Sequence, residues 1–228
     1  QFVPFDNGAD NLKERPAGSL LVEIQPFCVV TAKDILLLDT GLGFEINGTL
    51  QLHQNLMDAG INPSEVTKVV MSHLHKDHSG GIGIEREGLG RRLSFPNATY
   101  YVQQQELAYA FGKGSASYLE NELLSLQNAE QLVLLNGKGV IDEYIHHEIT
   151  GAHSMYHQVI WIKEEGETIF FGGDDASQLQ QMKHKFAAKY DYDGKKAMNL
   201  RQEWWEQGQQ EHWTFLFYHD VKNPFISL

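Results

Sequence analysis

Cysteine is almost absent. Cys28 stands alone in the apolar stretch PFCVV, so the 228-residue chain can build neither a disulfide framework nor a thiolate cage for a metal. Long hydrophobic runs are missing as well; none approaches the ~20 residues that a bilayer-spanning helix requires. Positive charge is scarce, with 18 Lys and Arg against 30 Asp and Glu, a formal net charge of −12. That balance repels phosphate backbones and anionic lipid, so neither nucleic acid nor a membrane is expected as a partner and a small-molecule substrate is. No internal repeat, linker or low-complexity break divides the sequence, and its length suits one domain over residues 1–228. The chain starts at Gln1 without a charged and apolar leader, from which we expect that a start or targeting segment was removed. Compartment and oligomeric state stay open, a soluble and slightly preferably cytoplasmic protein being the expectation.

What is present is a sequence of short β-rich runs interleaved with amphipathic stretches. Residues 19–24, 27–31 and 34–38 read as strands, the last leading into Asp39-Thr40-Gly41. A helix is expected over 49–59, where Gly60 marks its stop, followed by a strand over 67–72. Further strands are expected over 98–102, 132–135, 158–163, 168–171 and 213–218, with EEGE as a hairpin turn between two of them. Helical patterns cover 103–111, 116–126, 178–189 and 195–207. Strands with interspersed helices in both halves predict an α/β domain in which helices cover packed sheets. Trp204, Trp205 and Trp213 are assigned to packing, and the lysines from Lys183 to Lys196 to an exposed helix face.

The chemistry is concentrated after the strand 67–72. There His73, His75, Asp77 and His78 place four candidate ligands within six positions. In extended chain, residues two apart point the same way, so His73 and His75 can reach one cation while the loop turns Asp77 and His78 to a neighbouring one. Imidazole and carboxylate without thiolate suit zinc first, with manganese or iron also compatible. Three more candidates sit at strand ends: His153 in TGAHSMYH, Asp174 in FFGGDD and His219 in FLFYHD. Isolated histidines such as His53, His146, His147, His184 and His212 fit surface or hydrogen-bonding roles instead.

With these motifs in this order, nearly the whole chain resembles the metallo-β-lactamase superfamily of hydrolases. LLLDTG resembles the family's strand and turn whose aspartate, here Asp39, supports the ligands from behind; SHLHKDHSGG matches its H-x-H-x-D-H signature. The resemblance implies an αββα sandwich, two packed mixed β-sheets flanked by helices. It also implies one divalent ion on His73, His75 and His153, a second on Asp77, His78 and His219, and Asp174 between them. Asp174 is favoured over Asp175 as that bridge, and His157, four residues after His153, is expected to hydrogen-bond rather than ligate.

Two cations so placed would acidify a bridging water into hydroxide for attack on a carbonyl or phosphoryl centre, with Asp77 as the catalytic acid and base. Within the superfamily the chain looks most like the lactonase branch, which opens cyclic esters. Lactonases acting on acyl-homoserine lactones usually carry a tyrosine three residues after the bridging aspartate, where this chain has Ser177. The alternatives are a thioesterase of glyoxalase-II type, a phosphotriesterase or aryl ester hydrolase, and a non-catalytic metal-binding module. The stretches 84–95 and 109–126 are the expected lids over the site.

Overall fold

Ile35–Leu38 is apolar at every position, the pattern of a strand covered on both faces. In the computed structural model, which describes residues 2–6, 8–86, 88, 90–112, 116–127 and 129–228, that strand is second in a five-stranded sheet. The order is Phe27–Val30, Ile35–Leu38, Lys68–Val70, Thr99–Gln103 and Leu132–Leu135; the first pair is antiparallel and the others are parallel. A second sheet holds six strands in sequence order: Gly139–Ile141, Ile145–Ile149, Gln158–Glu164, Glu167–Phe171, Thr214–Leu216 and Phe225–Ser227. Its pairs are antiparallel except Glu167–Phe171 with Thr214–Leu216. Both sheets are mixed.

Alternation along the strands sorts the core into three layers. Leu36 and Leu38 pack with Ile145, Ile160, Ile162 and Phe171 between the two sheets. Leu37, one residue out of phase, joins Leu56, Tyr100, Leu123 and Leu126 beneath the helices Gln51–Asp58 and Glu120–Gln127. On the far side Phe170, Phe215 and Val159 meet Trp204 and Trp213 under the helix Gly194–Glu211. The layer sequence is helix, sheet, sheet, helix, the expected αββα sandwich. Gly208 lets that last helix lie close, because a Cβ there would stand 2.4 Å from the Phe215 ring.

The EEGE turn is a two-residue hairpin loop in which Glu165 and Gly166 both have positive φ, 51° and 88°. Other expectations shift. Residues 19–24 form no strand and belong to an irregular N-terminal arm. The strands Gly139–Ile141 and Ile145–Ile149 were not foreseen, because IHHEI carries too little apolar content to announce itself. The helix expected over 178–189 stops at Lys183. Arg201 holds this region from the neighbouring helix: one guanidinium nitrogen donates to Gln181 Oε1 at 3.1 Å and another to the Phe186 carbonyl at 2.8 Å. Among the described residues no helix is long and apolar enough to cross a membrane.

Candidate metal centre

The centre forms where the carboxyl ends of the strands Ile35–Leu38 and Lys68–Val70 deliver two loops against each other. Gly80 and Gly81 permit this contact: a Cβ on Gly81 would lie 2.2 Å from the Thr40 carbonyl oxygen, and one on Gly80 2.3 Å from that of Leu42. Thr40 donates its amide and its hydroxyl to the His78 carbonyl, at 2.7 and 2.9 Å. After extended residues through His75, the single helical turn Lys76–Ser79 swings Asp77 and His78 inward.

All seven expected residues come together, in two groups. His73, His75 and His153 form one; Asp77, His78, Asp174 and His219 form the other, and within each group one candidate ligand atom per residue lies within 4.8 Å of the rest. Asp174 reaches both. Its Oδ2 is 3.3 Å from His153 Nε2, while its Oδ1 is 3.2 Å from His78 Nε2 and 3.0 Å from His219 Nε2. Asp175 faces the other way: it accepts the His153 amide at 2.7 Å, a bond from the Thr150 hydroxyl, and lies 3.0 Å from His157 Nδ1. Asp174, not Asp175, is therefore the carboxylate between the groups. His157 in turn accepts the Asp174 amide on Nε2 at 3.1 Å, a supporting role.

Four rings have their outer nitrogen engaged. His78 Nδ1 meets Asp39 at 2.7 Å, His219 Nδ1 the Glu23 carbonyl at 2.6 Å, His153 Nδ1 Asp191 at 3.0 Å and His73 Nδ1 the Ser72 hydroxyl at 3.0 Å. A partner on Nδ1 leaves the Nε2 lone pair directed inward, the tautomer a cation needs. Buried His73 Nε2, His78 Nε2 and Asp174 Oδ1 have no full hydrogen bond, and His75 Nδ1 faces His153 Nε2 at 3.2 Å. Such a concentration of unsatisfied acceptors is costly without a positive ligand. The residues fit divalent cations.

The electrostatics agree. Burial holds His73 well below the ordinary imidazole range and brings His75 down to about 3, keeping both neutral. Burial is the largest influence on His78, His153 and His219 and opposes their charge, yet Asp174 acting together with Asp77 and Asp39 at His78, with Asp191 and Asp175 at His153 and with Asp77 at His219 outweighs it and raises all three. Those same imidazoles hold Asp174 well below the carboxylate range despite its burial.

Several contributors escaped the sequence reading. Tyr218 stacks on His78, with centroids 4.0 Å apart, and its hydroxyl donates to the Asp77 carbonyl at 2.6 Å; its place beside His219 was the available signal. Asp191 comes from a polar segment without a motif. The expected lids border the site only in part: of their described residues, Ser117 lines the cavity above it. Tyr118, Leu123 and Leu126 are buried in the core, and the hairpin of Gly83–Arg86 with Gly90–Leu93 packs on the helix Glu120–Gln127, while residues 87, 89 and 113–115 lie outside the described residues. The N-terminal arm walls this cavity of 990 Å³, which opens over His75, Asp77, His153, Asp174 and His219. Phe5, Leu20, Leu21, Val22, Ile24 and Phe44 give it apolar lining, and Tyr190, whose ring centroid is 5.9 Å from that of His153, lines it too.

A model of the metallo-beta-lactamase superfamily matches residues 24–203, well over half of the chain. The chain belongs to the metallo-beta-lactamase superfamily. Its fold matches hydrolase AbOPH of the beta-lactamase superfamily with a TM-score of 0.76 and 25% identity, over 96% of this chain and 78% of that one. It also matches AidC, described as a dizinc quorum-quenching lactonase, with a TM-score of 0.72 and 19% identity, over 90% and 74% of the two chains. In sequence it is similar to the N-acyl homoserine lactonase AttM of Azorhizobium caulinodans, 50% identical over 52 residues, which are 23% of this chain and 16% of that protein. The matched segment is thus about a sixth of that relative's length. As a superfamily member the chain places its own His and Asp residues where the fold brings loops together at the strand ends.

Proposed function

We propose that this protein is a dinuclear metal-dependent hydrolase of small ester-like substrates, and that its substrate is a lactone bearing an apolar substituent. His73, His75 and His153 would hold one divalent cation, Asp77, His78 and His219 a second, and Asp174 both; zinc suits this donor set best. The observation that carries the reading is the pair of ligand groups joined by one carboxylate, with five of the seven residues lining a cavity. When bound, such a pair supplies Lewis acidity and a water whose pKa falls from ~15.7 toward ~7.

The chain's own groups do the rest. The Asp77 carboxylate borders the cavity, 3.5 Å from His219 Nε2, and takes the proton of the attacking water and returns it to the leaving oxygen. Tyr218, bonded to the Asp77 carbonyl, keeps that side chain aimed. The apolar arm receives the substituent and excludes competing water. Lactonases among the similar proteins support this substrate class. A glutathione thioester fits less well, because Arg15 is the one Lys or Arg among the cavity's described lining residues and already pairs with Asp10 at 2.9 Å.

The test is metal quantification on the purified protein together with turnover of lactones, thioesters, aryl phosphates and β-lactams. Two metals per chain and lactone opening are expected, both abolished in His73→Ala and Asp174→Ala. A fully loaded protein that turns over none of these substrates would overturn the hydrolase reading.

A further inference from the structure

Glu106 is a carboxyl group with no part in the chemistry above, yet it is 1% exposed. It lies in the first turn of the helix Gln104–Gly112, and an apolar residue there would pack as well beside Leu107 and Ala110. A buried carboxyl is costly unless hydrogen bonds or a charge partner compensate it. Here Oε1 accepts the amide of Leu74, the residue between His73 and His75, at 2.9 Å. On the other side of His75, the amide of Lys76 donates to the Ser117 carbonyl at 2.8 Å. Both amides flanking His75 are thereby anchored outside their own loop.

Tyr118, next to Ser117, closes the arrangement. Its ring stands edge-on to His75 with centroids 4.8 Å apart, and its hydroxyl faces both the Glu106 carboxyl and the Ser154 hydroxyl. The phenol approaches both but completes a hydrogen bond with neither, for Glu106 Oε2 and Ser154 Oγ are buried without a full hydrogen-bond partner. Ser154 follows His153. The loop of His73 and His75 thus meets Glu106 by a hydrogen bond and Tyr118 by a ring contact, and the phenol is directed toward Ser154 of the loop that carries His153, the ring that faces His75 at 3.2 Å.

We propose that Glu106 and Tyr118 are positioning residues, a single brace that sets His75 against His153 and thereby tunes cation affinity at the three-histidine group alone. This rests on the ligand assignment proposed above. Glu106→Gln keeps an acceptor oxygen for Leu74, Glu106→Ala removes it, and Tyr118→Phe keeps the ring while removing the hydroxyl.

The experiment is zinc titration of each variant against a competing chelator, with amide hydrogen exchange on the metal-free proteins. In Glu106→Ala one of the two zinc affinities falls about tenfold or more, the size of a lost supporting contact behind a ligand, while the other is unchanged. Glu106→Gln restores it, and Tyr118→Phe lowers the same affinity. Exchange in Glu106→Ala rises in the peptides covering residues 74–76 and 153–154 and not elsewhere. Wild-type affinity at both zinc sites in Glu106→Ala, equal damage in Glu106→Gln, or a uniform rise in exchange would each overturn the brace. Should Glu106→Ala fail to fold, an unchanged zinc affinity in Tyr118→Phe would overturn it. If the wild-type protein binds no zinc, the ligand assignment fails, and the exchange pattern still decides whether the brace exists.

Discussion

Replacing Asp39 with asparagine should weaken metal binding about 10- to 100-fold without disturbing the fold. Asp39 is fully buried, with Oδ1 accepting the Ser72 amide at 2.7 Å and Oδ2 lying 2.7 Å from His78 Nδ1. It also accepts from the Ser72 hydroxyl, which lies 3.0 Å from His73 Nδ1, so one carboxylate orients an imidazole in each ligand group. Its φ is 59°, a left-handed conformation that asparagine tolerates and alanine does not, so the backbone is left unstrained. Asparagine keeps the oxygen facing the Ser72 amide but turns an NH2 toward His78 Nδ1. That ring must then accept on Nδ1 and carry its proton on Nε2, the atom needed for the cation. Losing one charge-assisted hydrogen bond costs about 1.5–3 kcal/mol, which matches the 10- to 100-fold range known for groups behind metal ligands. Chelator competition with zinc measures it, and circular dichroism checks the fold. An Asp39→Asn protein that binds zinc as tightly as wild type would refute the tautomer argument.

Three other perturbations test separate parts of the reasoning. Asp34 lies at the opposite end of its strand, accepting from Lys68 at 2.5 Å, Thr67 at 2.7 Å and Tyr144 at 2.5 Å; burial pushes its carboxyl up, but these donors outweigh it and the net direction is down. A depressed folded-state pKa stabilises above the unfolded value near 3.9, so Asp34→Asn should lose about 2–3 kcal/mol in urea unfolding at pH 7, and the gap to wild type should shrink as pH falls below ~4; a gap independent of pH contradicts the pairing. Gly81→Ala forces a Cβ to 2.2 Å from the Thr40 carbonyl oxygen and should cost about 1–3 kcal/mol while loosening zinc; an unaltered melting temperature contradicts the close packing of the two loops. Val22→Asp puts a charge in the apolar wall, and should erase a tail-length preference that in wild type is about 0.8 kcal/mol, roughly fourfold in kcat/KM, per buried methylene; retained preference in the variant places the substituent elsewhere.

What could be read from the sequence was whatever acts over short distances along the chain. Short apolar runs made Ile35–Leu38 and Glu167–Phe171 legible, and in the structure successive residues of each divide between two core layers. The ligands were legible for a related reason: His73, His75, Asp77 and His78 sit at a spacing that only a shared task explains, and Asp174 and His219 each follow a recognisable strand, whereas His153 follows the strand Ile145–Ile149 that does not announce itself. The supporting groups had no such signature. Asp191 meets His153 from a polar segment between two expected helices, and Glu106 meets Leu74 from a helix whose periodicity says only that it packs. Residues 19–24 had strand-like apolar content but form no ladder, and Leu20, Leu21, Val22 and Ile24 wall the cavity instead. A ligand is constrained by its neighbours in sequence because the loop that carries it must adopt one shape. A group that steers a ligand from behind needs only to arrive at the right point in space, and any segment passing there can supply it.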